Sequence, residues 1–122
     1  MLGAVLVEGR LILLNALPLN IFPESWKDYA IQVRKIDAYT LKERIMKARK
    51  IKSYIRHQST VEVLQRVLGI PLVPSADVYK YEEGDEVYIV TLKSPARGQE
   101  VQLVSEYDLE IYHITVAKGV WL

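Results

Sequence analysis

The sequence predicts a single α/β domain with a mixed sheet of about five strands flanked by two main helices. Short apolar runs, of which residues 11–14 and 87–92 are the clearest, are typical of strands buried in a sheet. Two stretches in which apolar residues recur at helical intervals begin near Thr40 and Ser59. The order strand, helix, strand, helix over residues 31–68 requires some parallel pairing, which is typical of an α/β fold.

The individual strands differ in how clearly their pattern defines them. Residues 11–14 are continuously apolar, so we expect both faces of this strand to be buried and the strand to be central in the sheet. His113 falls within the last predicted strand, where we expect a structural role for it. The remaining strands are predicted at residues 31–36, 51–56, 77–81, 101–104 and 109–116.

Both helices show the spacing of a capping box at their predicted starts. Thr40 is followed three residues later by Glu43, and Ser59 is followed in the same way by Glu62. We therefore expect the helices to open at these two residues. Gly69 then ends the second helix, because glycine adopts the left-handed conformation that closes many helices.

The bulk composition limits the possible functions. With 122 residues, half of them hydrophobic and a quarter charged, the chain suits one folded domain. It has no cysteine, which excludes disulfides, thiolate zinc sites and cysteine nucleophiles, and its two histidines are too few for a histidine-based metal site. We therefore predict no metal and no cofactor. The net charge of +1 gives no global attraction for DNA, so duplex nucleic acid is not expected as a partner.

The apolar N-terminus does not resemble a targeting segment. Residues 1–7 lack basic residues at their start and are followed by Glu8 and Gly9. No segment reaches the roughly 20 apolar residues that cross a bilayer, so we expect no membrane partner and a location in the cytoplasm, of the host cell if the chain is viral. Residues 1–9 are predicted to form an extra strand or, alternatively, a loose leader.

The corner before the second helix is the most informative stretch. A helix that starts at Ser59 directs its unpaired N–H groups and the positive end of its dipole toward Arg56, His57 and Gln58. Such a corner is suited to an anion, most naturally a phosphate. The alternative is that His57 is only a hydrogen-bonded loop residue.

Three residues could cleave a phosphodiester if they met at one edge of the sheet. His57 and the pair Arg97 and Glu100 each follow a predicted strand, and α/β ligand sites form at such strand ends. An arginine would neutralise the charge that develops on phosphorus, a histidine would protonate the leaving oxygen, and a carboxylate would orient the histidine or share in proton transfer. Other triples could be chosen from 15 acidic and 16 basic residues, so residue type alone does not select this one.

Four segments together resemble the small archaeal-virus and bacterial family that includes the type III anti-CRISPR ring nucleases. They are LLNALPLN, RHQSTVEVLQRVLG, EGDEVYIVTL and RGQE, and the resemblance covers most of residues 11–116. It implies a homodimer that binds cyclic tetra-adenylate, or a related cyclic oligoadenylate, between its subunits. It also implies cleavage without metal by the 2′-hydroxyl of the substrate, which leaves a 2′,3′-cyclic phosphate.

The resemblance also implies roles for individual residues. His57 would be the general acid, assisted by Arg97 and Glu100. An isologous dimer would suit a ring of four nucleotides, because both contain a two-fold axis. The ring would be held by Asn15, Asn20, Ser59 and Thr60.

The sequence departs from the family pattern at three places. Arg56 stands where the family usually has glycine, and it could add a phosphate contact or obstruct the pocket. Pro95-Ala96 replaces polar residues before the family arginine, and Ser75-Ala76-Asp77 stands where an arginine commonly opens the next strand.

We therefore expect a metal-independent ring nuclease that modulates type III CRISPR signalling. One alternative is a non-catalytic module that binds or sequesters the cyclic nucleotide. Another is a DNA-binding viral regulator, which the near-neutral charge disfavours.

Overall fold

The computed structural model describes residues 9–93 and 104–119, which contain five strands and two α-helices. Short 3₁₀ helices lie at Leu19–Ile21 and Glu106–Asp108. The main elements in chain order are β1 (Leu11–Leu14), β2 (Tyr29–Ile36), α1 (Ala38–Lys47), β3 (Ile51–Ser53), α2 (Gln58–Leu68), β4 (Glu86–Leu92) and β5 (Leu109–Lys118).

The strands form one mixed sheet in the order β2-β5-β4-β1-β3, which confirms the predicted fold class. β1 pairs in parallel with both β3 and β4, whereas β5 pairs in antiparallel with β4 and β2. β1 is an interior strand, and its residues from Leu11 to Leu13 are fully buried, as the continuous apolar run predicted. Since β1, β3 and β4 run in one direction, their last residues meet at one edge of the sheet, called here the C-terminal edge.

The two faces of the sheet are covered differently. Both helices pack on one face, where Leu41 of α1 and Leu64 of α2 join Leu11 and Leu13 in one core cluster. Loops cover the other face through an aromatic cluster of Phe22, Trp26, Tyr29 and Tyr81, in which neighbouring ring centroids are 4.9 to 6.0 Å apart. No helix in the described ranges is long and apolar enough to span a membrane.

The predicted capping box at Thr40 is wrong, because α1 begins two residues earlier at Ala38. Asp37 is the N-cap, and its Oδ1 accepts a hydrogen bond of 2.8 Å from the backbone N–H of Thr40. Aspartate caps a helix at least as well as threonine, and a start at Ala38 buries that residue on the core face. Thr40 therefore lies inside the first turn.

The predicted capping box at Ser59 is also wrong, because α2 begins at Gln58 with His57 as its N-cap. Ser59 lies within the first turn, and Glu62 accepts a 2.9 Å hydrogen bond from Nε2 of Gln58. Gly69 closes the helix in the left-handed conformation with φ of 69°, as predicted.

Several predicted strand limits also change. β3 ends at Ser53 and not at residue 56, and residues 77–81 are not a strand. The latter segment crosses the loop-covered face, where Tyr79 is buried and Tyr81 donates one backbone hydrogen bond to Ile21. The extra strand proposed for residues 1–9 and the strand proposed for residues 101–104 fall almost wholly outside the described residues.

A buried carboxylate holds the turn before β4. The Asp85 side chain is only 3% exposed and accepts two hydrogen bonds from the Arg10 guanidinium, of 2.8 and 3.1 Å. It also accepts from the hydroxyl of Tyr79 and from the backbone N–H of Glu82. The hydrogen bond with Asp85 raises the pKa of Arg10, so the guanidinium stays charged. This network ties the turn to the start of β1.

A second polar group lies between α1 and the sheet, at the opposite end of β4 from the C-terminal edge. Glu86 is 2.9 Å from Nε2 of His113, which stacks on Tyr88 at 4.9 Å between ring centroids. The Tyr88 hydroxyl contacts Glu86 and accepts a hydrogen bond from Arg44. His113 thus has the structural surroundings expected for it. The hydrogen bond between His113 and Glu86 is the main reason that the pKa of Glu86 lies below the ordinary value of a glutamate.

This lowered pKa predicts that Glu86 stabilises the fold only above acidic pH. At pH values between the folded-state and unfolded-state pKa of Glu86, the unfolded chain binds more protons than the folded chain does. The stability that Glu86 contributes is therefore fully present above the ordinary pKa of 4.5 and is lost as pH falls through the folded-state pKa. We expect Glu86→Gln to lower the free energy of unfolding at about pH 6 but much less at about pH 3. Urea unfolding at both pH values measures this, and an equal difference at both would contradict it.

Candidate functional site

A cleft of about 400 Å³, lined by both polar and apolar residues, opens at the C-terminal edge, beside the ends of β1 and β3. It is called here the β1–β3 cleft. Its polar lining residues are Asn15, Asn20, Arg56 and Asp77, and its apolar lining includes Leu14, Ile21 and Val78. The structure therefore brings together three of the residues that the sequence predicted to bind ligand: Asn15, Asn20 and Arg56.

The parallel pairing of β1 with β3 places these residues side by side. Tyr54 donates its backbone N–H to Leu13 at 2.8 Å, so the chain leaves β3 alongside the end of β1. Two residues later, the backbone N–H of Arg56 donates to Oδ1 of Asn15 at 3.4 Å. Ser75 then donates to the carbonyl of Ile55 at 2.9 Å, which brings the segment after α2 back to the cleft.

Two tyrosines form the buried part of the lining, and the sequence analysis did not identify them. Tyr54 and Tyr79 are 7% and 4% exposed, with ring centroids 5.0 Å apart. Burial is the main reason that the pKa of Tyr79 is raised, so its hydroxyl remains protonated and bonded to Asp85. The two packed rings form the buried side of the cleft. Sequence spacing alone gives no signal for their contact, since it depends on the path of the loop after α2.

The start of α2 lies directly after the cleft residue Arg56. His57 is exposed and, within the described part of the chain, makes no side-chain capping hydrogen bond. The first N–H groups of α2 consequently lack the side-chain acceptor that most helix starts have, and they remain suited to an anion. Ser59 is exposed at this end, and the Gln58 amide is bonded to Glu62. Thr60 is 5% exposed, so its side chain belongs to the packed interior.

Arg97 and Glu100 fall in residues 94–103, outside the described ranges. β4 ends at Leu92 on the C-terminal edge, next to β1. The meeting of His57, Arg97 and Glu100 at one phosphate therefore stays a prediction.

The lining of the β1–β3 cleft contains one cation and one anion. Arg56 supplies a cation to the lining, whereas Asp77, at one of the departures from the family pattern, supplies an anion. Within residues 9–93 and 104–119, no three histidine, cysteine or acidic side chains are grouped so that they could hold a metal ion.

The fold and cleft define a small single-domain α/β protein with a candidate site at the C-terminal edge of a mixed five-stranded sheet. The model of the STIV B116-like family matches residues 11–116, and the chain belongs to this family. The resemblance to an archaeal-virus family is thereby confirmed.

A solved structure shares the same fold. The chain is similar to B116 of Sulfolobus turreted icosahedral virus (STIV), with a TM-score of 0.66 and 22% sequence identity. The match covers 87% of this chain and 98% of that one. The comparison with curated proteins gave no significant match.

Proposed function

We propose that this protein is a ring nuclease that binds and cleaves cyclic tetra-adenylate, or a related cyclic oligoadenylate, and so modulates type III CRISPR signalling. The observation that carries the proposal is the convergence of Asn15, Asn20 and Arg56 in one cleft, next to the open start of α2 with His57. Amide side chains, a guanidinium and free helix N–H groups suit the bases and phosphates of an oligonucleotide.

The size of the cleft favours a ligand shared between two subunits. A volume of about 400 Å³ lies near the lower end of the range that holds drug-sized ligands, roughly 300–1,000 Å³. A ring of four nucleotides is larger, so each subunit would hold half of it across a two-fold axis. Leu19 and Val78, at 63% and 69% exposed, lie beside or in the cleft lining and would supply apolar contacts between the subunits.

In the proposed reaction, the 2′-hydroxyl of one nucleotide attacks the adjacent phosphorus. The 2′-hydroxyl gives up its proton to water, the bond to the 5′-oxygen breaks, and the products are a 2′,3′-cyclic phosphate and a 5′-hydroxyl. Histidine can carry a proton near neutral pH, so His57 would protonate the departing 5′-oxygen. Arg97 would offset the charge on phosphorus and Glu100 would assist His57, while Arg56 and the start of α2 hold the phosphate in place.

Incubation of the protein with labelled cyclic tetra-adenylate in EDTA tests the proposal. Linear products ending in 2′,3′-cyclic phosphate support it, and a solution mass of two chains with bound ligand supports the shared site. Tight binding without products would instead identify a binding module. Salt-sensitive binding to duplex DNA without affinity for the cyclic nucleotide would identify a DNA-binding regulator.

Asp77 predicts a substitution that improves binding. Because its carboxylate lines a cleft proposed to hold phosphates, we expect Asp77→Asn to tighten cyclic tetra-adenylate binding by roughly threefold to tenfold, the effect of removing about 1 kcal/mol of repulsion. Titration calorimetry measures the change. Asp28→Asn is the matched control, since Asp28 is exposed and lies outside the cleft lining. Equal affinities for both variants would mean that no phosphate lies near Asp77.

A further inference from the structure

A second cavity, of about 350 Å³, lies at the C-terminal edge beyond β4 and shares no lining residue with the β1–β3 cleft. It is called here the β2–β4 cavity. It lies between the end of β2, the first turn of α1, the end of β4 and the start of β5. Ile36, Ala38 and Leu109 provide its apolar surface, and the latter two are buried.

Two exposed tyrosine rings lie at this cavity. Tyr39 is 68% exposed and Tyr107 is 77% exposed, and both belong to the cavity lining. Exposed aromatic rings beside an apolar surface are able to stack on a flat ligand.

The backbone under both rings is held by capping interactions. Tyr39 is in the first turn of α1, which Asp37 caps. Tyr107 is in a 3₁₀ helix closed by a reciprocal capping box between Ser105 and Asp108. Little ordering would be required of the backbone when a ligand binds, which favours affinity.

Two of the charged groups at the cavity are placed to contact an anion. Lys35 and Lys93 both line the cavity, and neither ammonium has an ion-pair partner among the described residues. The two lining acids are Asp37, which accepts the N–H of Thr40, and Glu106, so the lining holds two cations and two anions. Lys93 is held in place by its backbone hydrogen bond to Asp108, at 2.8 Å. An occupant that combines a flat aromatic ring with a phosphate satisfies both sets of groups.

We propose that the β2–β4 cavity is a binding site for a purine mononucleotide. The base stacks on Tyr107 and Tyr39, and the phosphate lies between Lys35 and Lys93. The site is separate from the β1–β3 cleft, and binding there does not depend on cleavage of a cyclic nucleotide.

The test is an NMR titration of the full ¹⁵N-labelled chain with adenosine monophosphate (AMP). We expect the amide shifts to cluster around Tyr39, Lys93 and Tyr107. Tyr107→Ala should weaken AMP binding by roughly 5-fold to 150-fold, the effect of losing one base-stacking contact, whereas Tyr107→Phe keeps the ring and should bind as the unmodified chain does. Because Tyr107 is exposed, neither substitution should affect folding.

The phosphate contact is tested with adenosine and with lysine variants. Adenosine should bind more weakly than AMP, and Lys93→Ala should remove this preference. Lys42→Ala is the control, since Lys42 is exposed on α1 and outside the cavity lining. Arg56→Ala, in the other cleft, should leave AMP affinity unchanged. Shifts confined to the surroundings of Asn15 and Arg56, equal binding by Tyr107→Ala, or no shifts at millimolar AMP would each overturn the proposal.

Discussion

His57→Ala should slow cleavage of cyclic tetra-adenylate by roughly a hundredfold to ten-thousandfold, the range typical of losing a general acid. Binding of the intact ring should change little, because the cleft residues and the helix N–H groups remain. The expectation rests on the exposure of His57 at the start of α2, where its side chain makes no capping hydrogen bond within the described residues. Single-turnover rates with saturating protein separate the chemical step from binding.

His113→Gln is the matched control for this experiment. His113 is the other histidine of the chain, and it contacts Glu86 and Tyr88 at the far end of β4. Its substitution should leave the cleavage rate within a few-fold of the unmodified protein after correction for folded fraction. Equal cleavage by His57→Ala and the unmodified chain would remove His57 from the reaction.

Asp85→Asn should lower the free energy of unfolding by roughly 1–3 kcal/mol, the usual cost of leaving buried hydrogen-bonding groups without a partner. The carboxylate is almost fully buried, and the amide that replaces it cannot accept every hydrogen bond now donated by Arg10, Tyr79 and Glu82. The Arg10 charge would also lose its buried partner and keep only the exposed Glu82. Urea unfolding followed by circular dichroism measures the loss.

Glu82→Gln provides the comparison for Asp85→Asn. Glu82 is also 2.8 Å from the Arg10 guanidinium, but its side chain is 68% exposed. Exposed pairs contribute at most about 1 kcal/mol, so this substitution should have a small effect. Losses of similar size in both variants would show that burial of Asp85 is not what makes the network stabilising.

The strongest patterns in the sequence predicted the sheet correctly, and local competition explains the errors at the helix ends. The apolar run at β1 could only be an interior strand, because both of its faces had to be buried. Thr40 and Ser59 were each predicted as caps from spacing, but Asp37 is a competing cap, and α2 extends back to Gln58. The earlier start of α1 also buries Ala38, whereas the earlier start of α2 adds only the exposed Gln58, and spacing alone does not fix either boundary.

The site was predictable only in part. Asn15 and Asn20 came from the family resemblance and Arg56 from its place before α2, and parallel pairing brings these residues together. The place of Tyr54 and Tyr79 in the cleft could not be predicted from the sequence. Their contact joins residues 25 positions apart, with α2 between them, and depends on the path of the loop that follows α2.

The strand order also determines how this chain can fold. Among the described strands, only β4 and β5 are neighbours both in sequence and in the sheet. β1 pairs with β4 through contacts such as Leu11 with Glu86, so the pairing of this interior strand cannot be completed until β4 has been synthesised. Closing so long a segment makes folding slow, and an apolar strand made early stays exposed to other chains meanwhile. During synthesis, β1 is therefore made well before β4 and lacks this partner until β4 has followed it.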